Sequence, residues 1–300
     1  MEKPFFSVVI PLYNKSYSVL RCIKSVLNQT FDNFEVIVID DGSKDDSLKV
    51  LGQICDPRFS VISQSNKGVS VARNRGVDFS KANYVCFLDA DDYWEPFFLE
   101  KMNNLIVSCP EAVLYCLGHR VVVFDGEHKV EKFRSITGQF LGYVPDFFKA
   151  SLRNSIANSS KVCVLKSSFY DSGGFPERVV AGEDLFLWIQ LAQQGAVAFD
   201  STPCATVERV IDASRNSRAG SLPYPLTFYS TKPFVLKSNA SLKLYLVKIG
   251  IAHIFGSLCE GDYKEAFDRV KCLRGISFFF AAFAIVFFIV PPFILKNVKR

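Results

Sequence analysis

Through its first 110 residues the chain alternates short, almost wholly apolar runs with longer stretches in which apolar residues recur every three or four positions. "SVVIPL", "FEVIVIDDGS", "FSVISQS" and "YVCFLDADD" have the β-branched, near-continuous character of strands buried on both faces. Between them, "SYSVLRCIKSVLNQT" carries Tyr17, Leu20, Ile23, Val26 and Leu27 at helical spacing. A second helix is predicted from about Asp45 to Ile54 and a third over "GVSVARNRGVDFS". Such alternation specifies βαβ units on a parallel sheet, where ligands bind beyond the carboxyl ends of the strands.

The residues at those ends are therefore the first candidates. Strand one closes on Pro11, Leu12, Tyr13 and Asn14, and strand two on Asp40, Asp41, Gly42 and Ser43. Strand three closes on Asn66, Lys67 and Gly68, and strand four on Asp89, Ala90, Asp91 and Asp92. "PLYNKS" stands where a dinucleotide fold carries G-x-G-x-x-G, and no G-x-x-x-x-G-K-[ST] is present. NAD, FAD and P-loop nucleotide chemistry are accordingly not expected.

From about Ala112 the pattern changes. "AVLYCLGHRVVVF" reads as a strand or hairpin and "SSKVCVLKSSFY" as strand-like, leading into "DSGGFPERVVAGEDLFLWIQLAQQG". That stretch holds a helix with Leu185, Trp188, Ile189 and Ala192 on one face and Gly195 as its stop. "AVAFDSTP" is a further strand, and "ERVIDASRNSRAGSLPYP" a polar, punctuated loop where the first domain ends. An amphipathic helix follows over about Leu242 to Leu258, then a helix from about Tyr263 to Leu273. Last comes "ISFFFAAFAIVFFIVPPFIL", residues 276–295, an uncharged run of 20 residues. These boundaries give a domain at 1–220 (halves 1–110 and 111–220), a helical extension at 221–275 and a hydrophobic membrane segment at 276–295.

Charge sharpens the reading of the tail. The net charge of +5 is concentrated there: residues 232–300 hold 11 Lys/Arg against 4 Asp/Glu. Basic residues bracketing an apolar run point to phospholipid and not to nucleic acid. Pro291 and Pro292 limit the uninterrupted helix to about 16 residues, roughly 24 Å against about 30 Å of hydrocarbon. A helix dipping into one leaflet, with the amphipathic helix in the interface, fits as well as a single span. Nine scattered cysteines without a C-x-x-C pair, several in apolar strands, suit a reducing compartment, and the N-terminus lacks a secretory signal. His119 and His128 stand outside any ligand spacing.

Three acids at the end of a buried strand repel one another unless a cation sits among them. A hard divalent ion relieves the repulsion, and Mg2+ or Mn2+ typically takes one or two carboxylates plus phosphate oxygens. The D-x-D spacing of Asp89 and Asp91 thus suggests a metal carrying a diphosphate. The alternative is that the acids only cap the next helix, which would start at Pro96, with Asp92 in that role.

"SVVIPLYNK", "VIDDGSKDDS", "NKGVSVARNRG", "FLDADD" and "GEDLFLW" occur in the order, and near the spacing, found in the inverting family 2 glycosyltransferases, and over about residues 5–220 the chain resembles that family. The resemblance implies a GT-A (nucleotide-diphospho-sugar transferase) fold, a Rossmann-like mixed sheet flanked by helices, here with a C-terminal membrane-associating helical tail. It further implies a nucleotide-sugar donor, probed first as a UDP-sugar, Mn2+ or Mg2+, and transfer with inversion. Carried over residue by residue, Tyr13 and Asp41 resemble the residues that hold the nucleobase, with Arg73 lining the same pocket. Asp89 resembles the D-x-D acid near the ribose and Asp91 the metal ligand, while Asp184 resembles the catalytic base. Pro11, Asn14, Lys67 and Ala90 complete the nucleotide-sugar-binding set. Each has a plainer reading: Tyr13 as a packed aromatic, Arg73 as a solvated helix residue, Glu183 and Asp184 as acids enriching a first helical turn. One departure from the family is "ERVIDASRNS", with Asp212 where a basic lid segment carries His; Arg209, Ser214, Arg215 and Arg218 remain as phosphate contacts. The acceptor expected by analogy is a lipid-linked oligosaccharide of a cell-surface polysaccharide, met on the cytoplasmic face of the membrane. Two alternatives stay open: a nucleotidyl- or phospho-sugar transferase, and a catalytically inactive sugar-nucleotide-binding protein.

Overall fold

In this computed structural model, which describes residues 3–122, 128–130, 132–134, 136, 138–208 and 221–289, the apolar runs at the start of the chain become strands and the periodic stretches between them helices. In chain order these are β1 (Phe6–Leu12), α1 (Val19–Leu27), β2 (Phe34–Asp40), α2 (Ser47–Leu51), β3 (Phe59–Ser63), α3 (Val69–Phe79), β4 (Tyr84–Phe87), β5 (Tyr93–Trp94) and α4 (Phe98–Ser108). Then follow β6 (Ala112–Val122), β7 (His128–Val130), β8 (Leu141–Tyr143), α5 (Phe147–Ala150), β9 (Val162–Leu165), α6 (Lys166–Asp171), α7 (Glu183–Gln194) and β10 (Ala196–Glu208). The C-terminal helices are α8 (Tyr224–Ser230), α9 (Pro233–Ser238), α10 (Ala240–Glu260), α11 (Tyr263–Ile276) and α12 (Phe278–Ile285), with a 3-10 turn at Val286–Ile289.

The strands form a single mixed sheet in the order β3-β2-β1-β4-β9-β6-β10-β5, with β7 on β6 and β8 on β10. β1 to β4 are parallel, as expected of βαβ units. β9 enters antiparallel between β4 and β6, and β10 is parallel to β6. Two reversals cancel, so β6 and β10 run in the same direction as β1 to β4.

Alternation along β1 divides the core. Phe6, Val8, Ile10 and Leu12 pack with Val19, Cys22, Ile23 and Val26 of α1 and Phe98, Leu99, Met102 and Leu105 of α4. On the opposite face α3 comes so close to β1 that a Cβ at Gly76 would stand 2.3 Å from Val9 Cγ1. The register of β10 on β6 breaks between Asp200 and Ala205, and such bulges bend a strand. Gly118 of β6 lies under this break, where a Cβ would meet the Ser201 carbonyl oxygen at 2.4 Å. Past the break, Ala205 and Thr206 take Trp94 and Tyr93 of β5 as antiparallel partners.

Several boundaries differ from expectation. The helix predicted over Asp45 to Ile54 shrinks to α2, because the Asp45 carboxylate is spent on a local turn, accepting from Ser47 N at 3.0 Å and Ser16 N at 2.9 Å. On α7 the buried apolar residues are Phe186, Leu187, Trp188, Ile189 and Leu191, with Glu183 buried at its start, whereas Leu185 and Ala192 are only partly covered. α4 starts at Phe98 and not at Pro96, and Asp92 does not cap it.

The chain divides into two compact units, one of Met1–Phe147, Arg153–Arg178 and Asp184–Val210, the other of Phe148–Leu152, Val179–Glu183 and Ile211–Arg300. In the second unit, Asn239 Oδ1 caps α10 by accepting from Leu242 N at 2.9 Å. α10 ends at left-handed Gly261 (φ 81°), after which Asp262 caps α11 through Glu265 N. Gly250 of α10 lets Leu273 of α11 approach, and the buried Arg269 of α11 donates to the His253 carbonyl and to Glu265.

Here the reading of the tail changes. Among the described residues the helix long and apolar enough to cross a bilayer is α10, with mean hydropathy 1.4 over an 18-residue window, half of it buried. Its buried apolar residues include Leu242, Tyr245, Leu246, Val247, Ile254 and Leu258, while Leu244 is exposed. The helix expected from residue 276 begins just after Ser277, the N-cap of α12, and runs through eight α-helical residues and a four-residue 3-10 turn to Ile289, the last described residue. Its rings are nonetheless exposed: Phe278, Phe279 and Phe283 are all more than half accessible. Pro291, Pro292 and the remainder of the expected segment lie outside the described residues.

Candidate active site at the carboxyl edge of the sheet

Immediately beyond β1 and β2, two loops lock together. Asn14 adopts a left-handed conformation (φ 52°), which its side chain tolerates better than most, and its Oδ1 accepts from Lys44 N at 2.7 Å. Ser43 Oγ in turn accepts from Asn14 N, while Ser43 N donates to Asp40. Left-handed Gly42 makes this turn against Asn66, where a Cβ would be only 3.0 Å from the backbone nitrogen. Asp41 is buried and accepts from Gln64 Nε2, Lys67 N and Gly68 N, each at 2.8 Å. Its carboxylate therefore fixes the loop between β3 and α3, and the contribution of Lys67 inside the fold is its backbone N–H.

Across this edge runs the acid-bearing turn, residues 89–92, closed by a bond from Asp92 N to the Asp89 carbonyl at 3.0 Å. The first half of α1 grips it from behind. Cys22 Sγ donates to the Asp89 carbonyl at 3.6 Å, Ser18 Oγ to that of Ala90 at 2.9 Å, and Arg21 to that of Asp91 at 3.2 Å. Burial, with the charges of Asp92, Asp91 and Asp89, pushes the Cys22 thiol well above its ordinary range, which keeps it a donor.

Each acid has its own partner. Arg73 of α3 holds Asp89 at 2.7 Å while its guanidinium lies over the Phe175 ring, 5.1 Å from the centroid. Lys15 holds Asp91 at 2.8 Å. Asp92 is buried, accepts from Glu208 N at 2.9 Å and from Ser160 Oγ, and so ties the turn to the end of β10 and the approach to β9. Burial, then repulsion from Asp91 and Asp89, raises the Asp92 carboxyl well above the usual range, against those two bonds. Asp92 is a structural acid in the core of the site, in place of the helix cap the sequence suggested.

Topology brings Asp184 to the same edge. Only Gly195 separates α7 from the start of β10, which lies at the amino edge, so the helix ends far from the acids. Half-way along α7, Trp188 packs against Phe87, the last residue of β4, and against Phe175. Asp184 lies one turn further on the same helix face and hence at the carboxyl edge. There its Oδ1 accepts from Leu185 N at 2.6 Å in the first turn of the helix.

Of the residues singled out from the sequence, the structure joins Arg73 to Asp89 and lodges Ala90 in the acid turn, while Asn14 and Asp41 shape neighbouring loops. Pro11 pairs with Ile39 at the end of β1, and Tyr13 is exposed just beyond. Arg73 thus belongs to the acid turn. Arg209, Asp212, Ser214, Arg215 and Arg218 lie outside the described residues. Sequence reasoning missed Lys15, Ser160, Asn74 and Phe175. Asn74 donates to the Phe175 carbonyl and accepts from Phe175 N, both at 2.9 Å, so it fixes the ring under Arg73. The available signals were "NK" after strand one and "SGGF", where Gly173 and Gly174 both have positive φ.

Among the described residues no three carboxylates, thiols or imidazoles are grouped to hold a metal ion. Asp91 fits the other mode, in which one carboxylate serves while phosphate oxygens and water complete the shell.

The arrangement has relatives. The sequence model described as Glycosyl transferase family 2 matches residues 7–171. The protein EpsH of Bacillus subtilis (strain 168) is 38% identical over 104 residues, covering 34% of this chain and 30% of EpsH. A chondroitin synthase of Pasteurella multocida (strain Pm70) is 29% identical over 195 residues, covering 64% of this chain and 19% of the synthase. The chain thus spans less than a third of the length of these curated relatives. In structure it is similar to residues 1–349 of TarS from S. aureus in complex with UDP-GlcNAc, with TM-score 0.71 and 16% identity over 98% of this chain and 91% of that one. That likeness concerns the fold, a central sheet flanked by helices of the GT-A kind. With more than half its length matched by that model, the chain belongs to glycosyl transferase family 2.

Proposed function

We propose that the protein transfers a sugar from a UDP-sugar to an acceptor hydroxyl with inversion at the anomeric carbon, in the building of a cell-surface polysaccharide. The observation that supports this reading is that the acids have separate partners: Asp91 is paired with Lys15, Asp89 with Arg73, and Asp184 lies on another element. UDP is favoured because the structurally similar TarS binds UDP-GlcNAc, and a polysaccharide product because the chondroitin synthase is among the relatives.

In this reading Pro11, Tyr13, Asn14 and the Asp41-anchored loop with Lys67 bound the nucleoside, with Arg73, Asp89 and Ala90 beside the ribose and diphosphate. Asp91 is the protein ligand for Mn2+ or Mg2+, which when bound would neutralise charge on the departing diphosphate. Asp184 takes the proton from the acceptor hydroxyl as its oxygen attacks C1 from the face opposite the leaving group. A panel of nucleotide sugars incubated with the purified full chain is expected to release UDP from at least one UDP-sugar, and only with Mn2+ or Mg2+. Turnover that persists unchanged in EDTA would remove Asp91 from its role.

The acceptor in this proposal is a lipid-linked oligosaccharide, reached by seating the protein on the cytoplasmic face of the membrane. Support comes from exposed rings beside cations: Arg274 of α11 lies over Phe278 of α12, and Lys271 lies over Phe267 of α11. Rings inserted shallowly beside cations suit an anionic lipid surface better than a span. The full chain should float with vesicles containing phosphatidylglycerol, and Phe278→Ser with Phe279→Ser should weaken that binding about tenfold, from the loss of two buried aromatic groups. A full chain that stays behind when the vesicles float would end this part of the proposal.

A further inference from the structure

We propose that Lys15 is the resident counter-ion of Asp91, and that loading of the donor exchanges its ammonium for the divalent cation. The inference rests on the assignment of Asp91 as the metal-ligating acid. The lysine is built into its place. Its backbone N–H donates to Ser47 Oγ at 3.1 Å, and its carbonyl accepts from Ser18 N and Val19 N as α1 begins. From there Nζ reaches Asp91 Oδ2 at 2.8 Å, with both side chains less than a fifth exposed (13% and 17%).

Electrostatics explains why a cation is kept there. Asp89, Asp91 and Asp92 fall within four residues, and their mutual repulsion would open the turn if none were compensated. Arg73 serves Asp89, and bonds from Ser160 and Glu208 N serve Asp92. Lys15 serves Asp91, so the turn is balanced before any ligand arrives.

The same contact is incompatible with a metal on the same carboxylate. An ammonium at hydrogen-bond distance from an oxygen that also binds a divalent ion places two cations within a few ångströms of each other. One must leave, and the lysine has somewhere to go. Nζ already lies 3.2 Å from Tyr17 Oη and 5.7 Å from the centroid of that exposed ring, so a rotation of the flexible stem carries the charge from Asp91 to Tyr17.

Exchange has a thermodynamic signature. Breaking the ion pair opposes metal binding by itself, so Mn2+ alone should bind weakly and Mn2+ with UDP more tightly, because phosphate oxygens add ligands without adding to that opposition. Removing the ammonium should strengthen Mn2+ binding by a similar factor with and without nucleotide, because the same ion pair is broken in both cases.

The test titrates Mn2+ into the purified full chain, following free Mn2+ by electron paramagnetic resonance, with and without UDP. Lys15→Met and Lys15→Gln should each bind Mn2+ about fivefold tighter than the parent, the scale of a partly exposed ion pair. Asp91→Asn should lose the binding. If the lysine variants bind Mn2+ no better than the parent while Asp91→Asn abolishes binding, the exchange is wrong and the metal site stands. If binding is indifferent to Asp91→Asn, the metal site is elsewhere and the exchange falls with it. Thermal melting identifies folded variants, and the glutamine variant carries the comparison should the methionine variant not fold.

Discussion

Asp184→Asn is expected to lower sugar transfer about 10³-fold, the middle of the range for loss of a positioned general base, while leaving UDP affinity within about twofold. The substitution isolates chemistry from structure. Asparagine keeps the Oδ1 that accepts from Leu185 N, so the first turn of α7 keeps its bond. The lost first-turn charge costs only about 0.3–1 kcal/mol of helix stability. Trp188, which seats the helix against Phe87 and Phe175, is untouched. A base that removes a proton only during attack contributes to the transition state and not to donor binding, so kcat should fall with little change in KM for the donor. The measurement is steady-state transfer with the donor identified by the nucleotide-sugar panel. Retention of more than a tenth of parental kcat would move the base to another residue.

Asp91→Asn should cost about 10²- to 10³-fold in transfer at fixed Mn2+, comparable to removing one electrostatic contact to a developing negative charge. Here the main-chain grip matters. Ser18, Arg21 and Cys22 hold the carbonyls of residues 89–91, bonds that survive any change of side chain at position 91. The amide also matches the carboxylate in shape, so the turn should persist while its affinity for a cation falls. Activity recovered by raising Mn2+ would identify the defect as one of metal binding. An unchanged Mn2+ requirement in this variant would contradict the assignment.

The two acids were not equally legible in the sequence. Asp89 and Asp91 stand out because a near-continuous apolar run terminates on them, and the parallel-sheet rule turns that pattern into an address. Asp184 was reached only through the "GEDLFLW" resemblance, since two acids opening a helix are also what the helix dipole favours. The partners were invisible for a physical reason. Lys15 and Asp91 lie 76 positions apart, Ser160 and Asp92 68 apart, and local periodicity carries no information about such pairs. Asp92 was misread as a cap because acids near a helix start have that usual explanation, whereas its neighbour in space is the end of β10. Hydropathy also does not mark where one helix of the tail ends and the next begins, which the structure puts at Ser277.

The strand order limits how the unit that carries the sheet can be divided. Chain order suggests a nucleotide-binding half that ends near residue 110, yet β9, formed some fifty residues later, is inserted beside β4, and β5 finds its partner only in β10. A fragment ending at Pro110 would keep Asp89, Asp91 and Arg73 but would leave one side of β4 bare, β5 without a strand to pair with, and Asp92 without Ser160 or the Glu208 N–H. An uncovered sheet edge and an uncompensated acid both disfavour such a piece. Recombination within the sheet would therefore have to replace β4, β5, β6, β9 and β10 together.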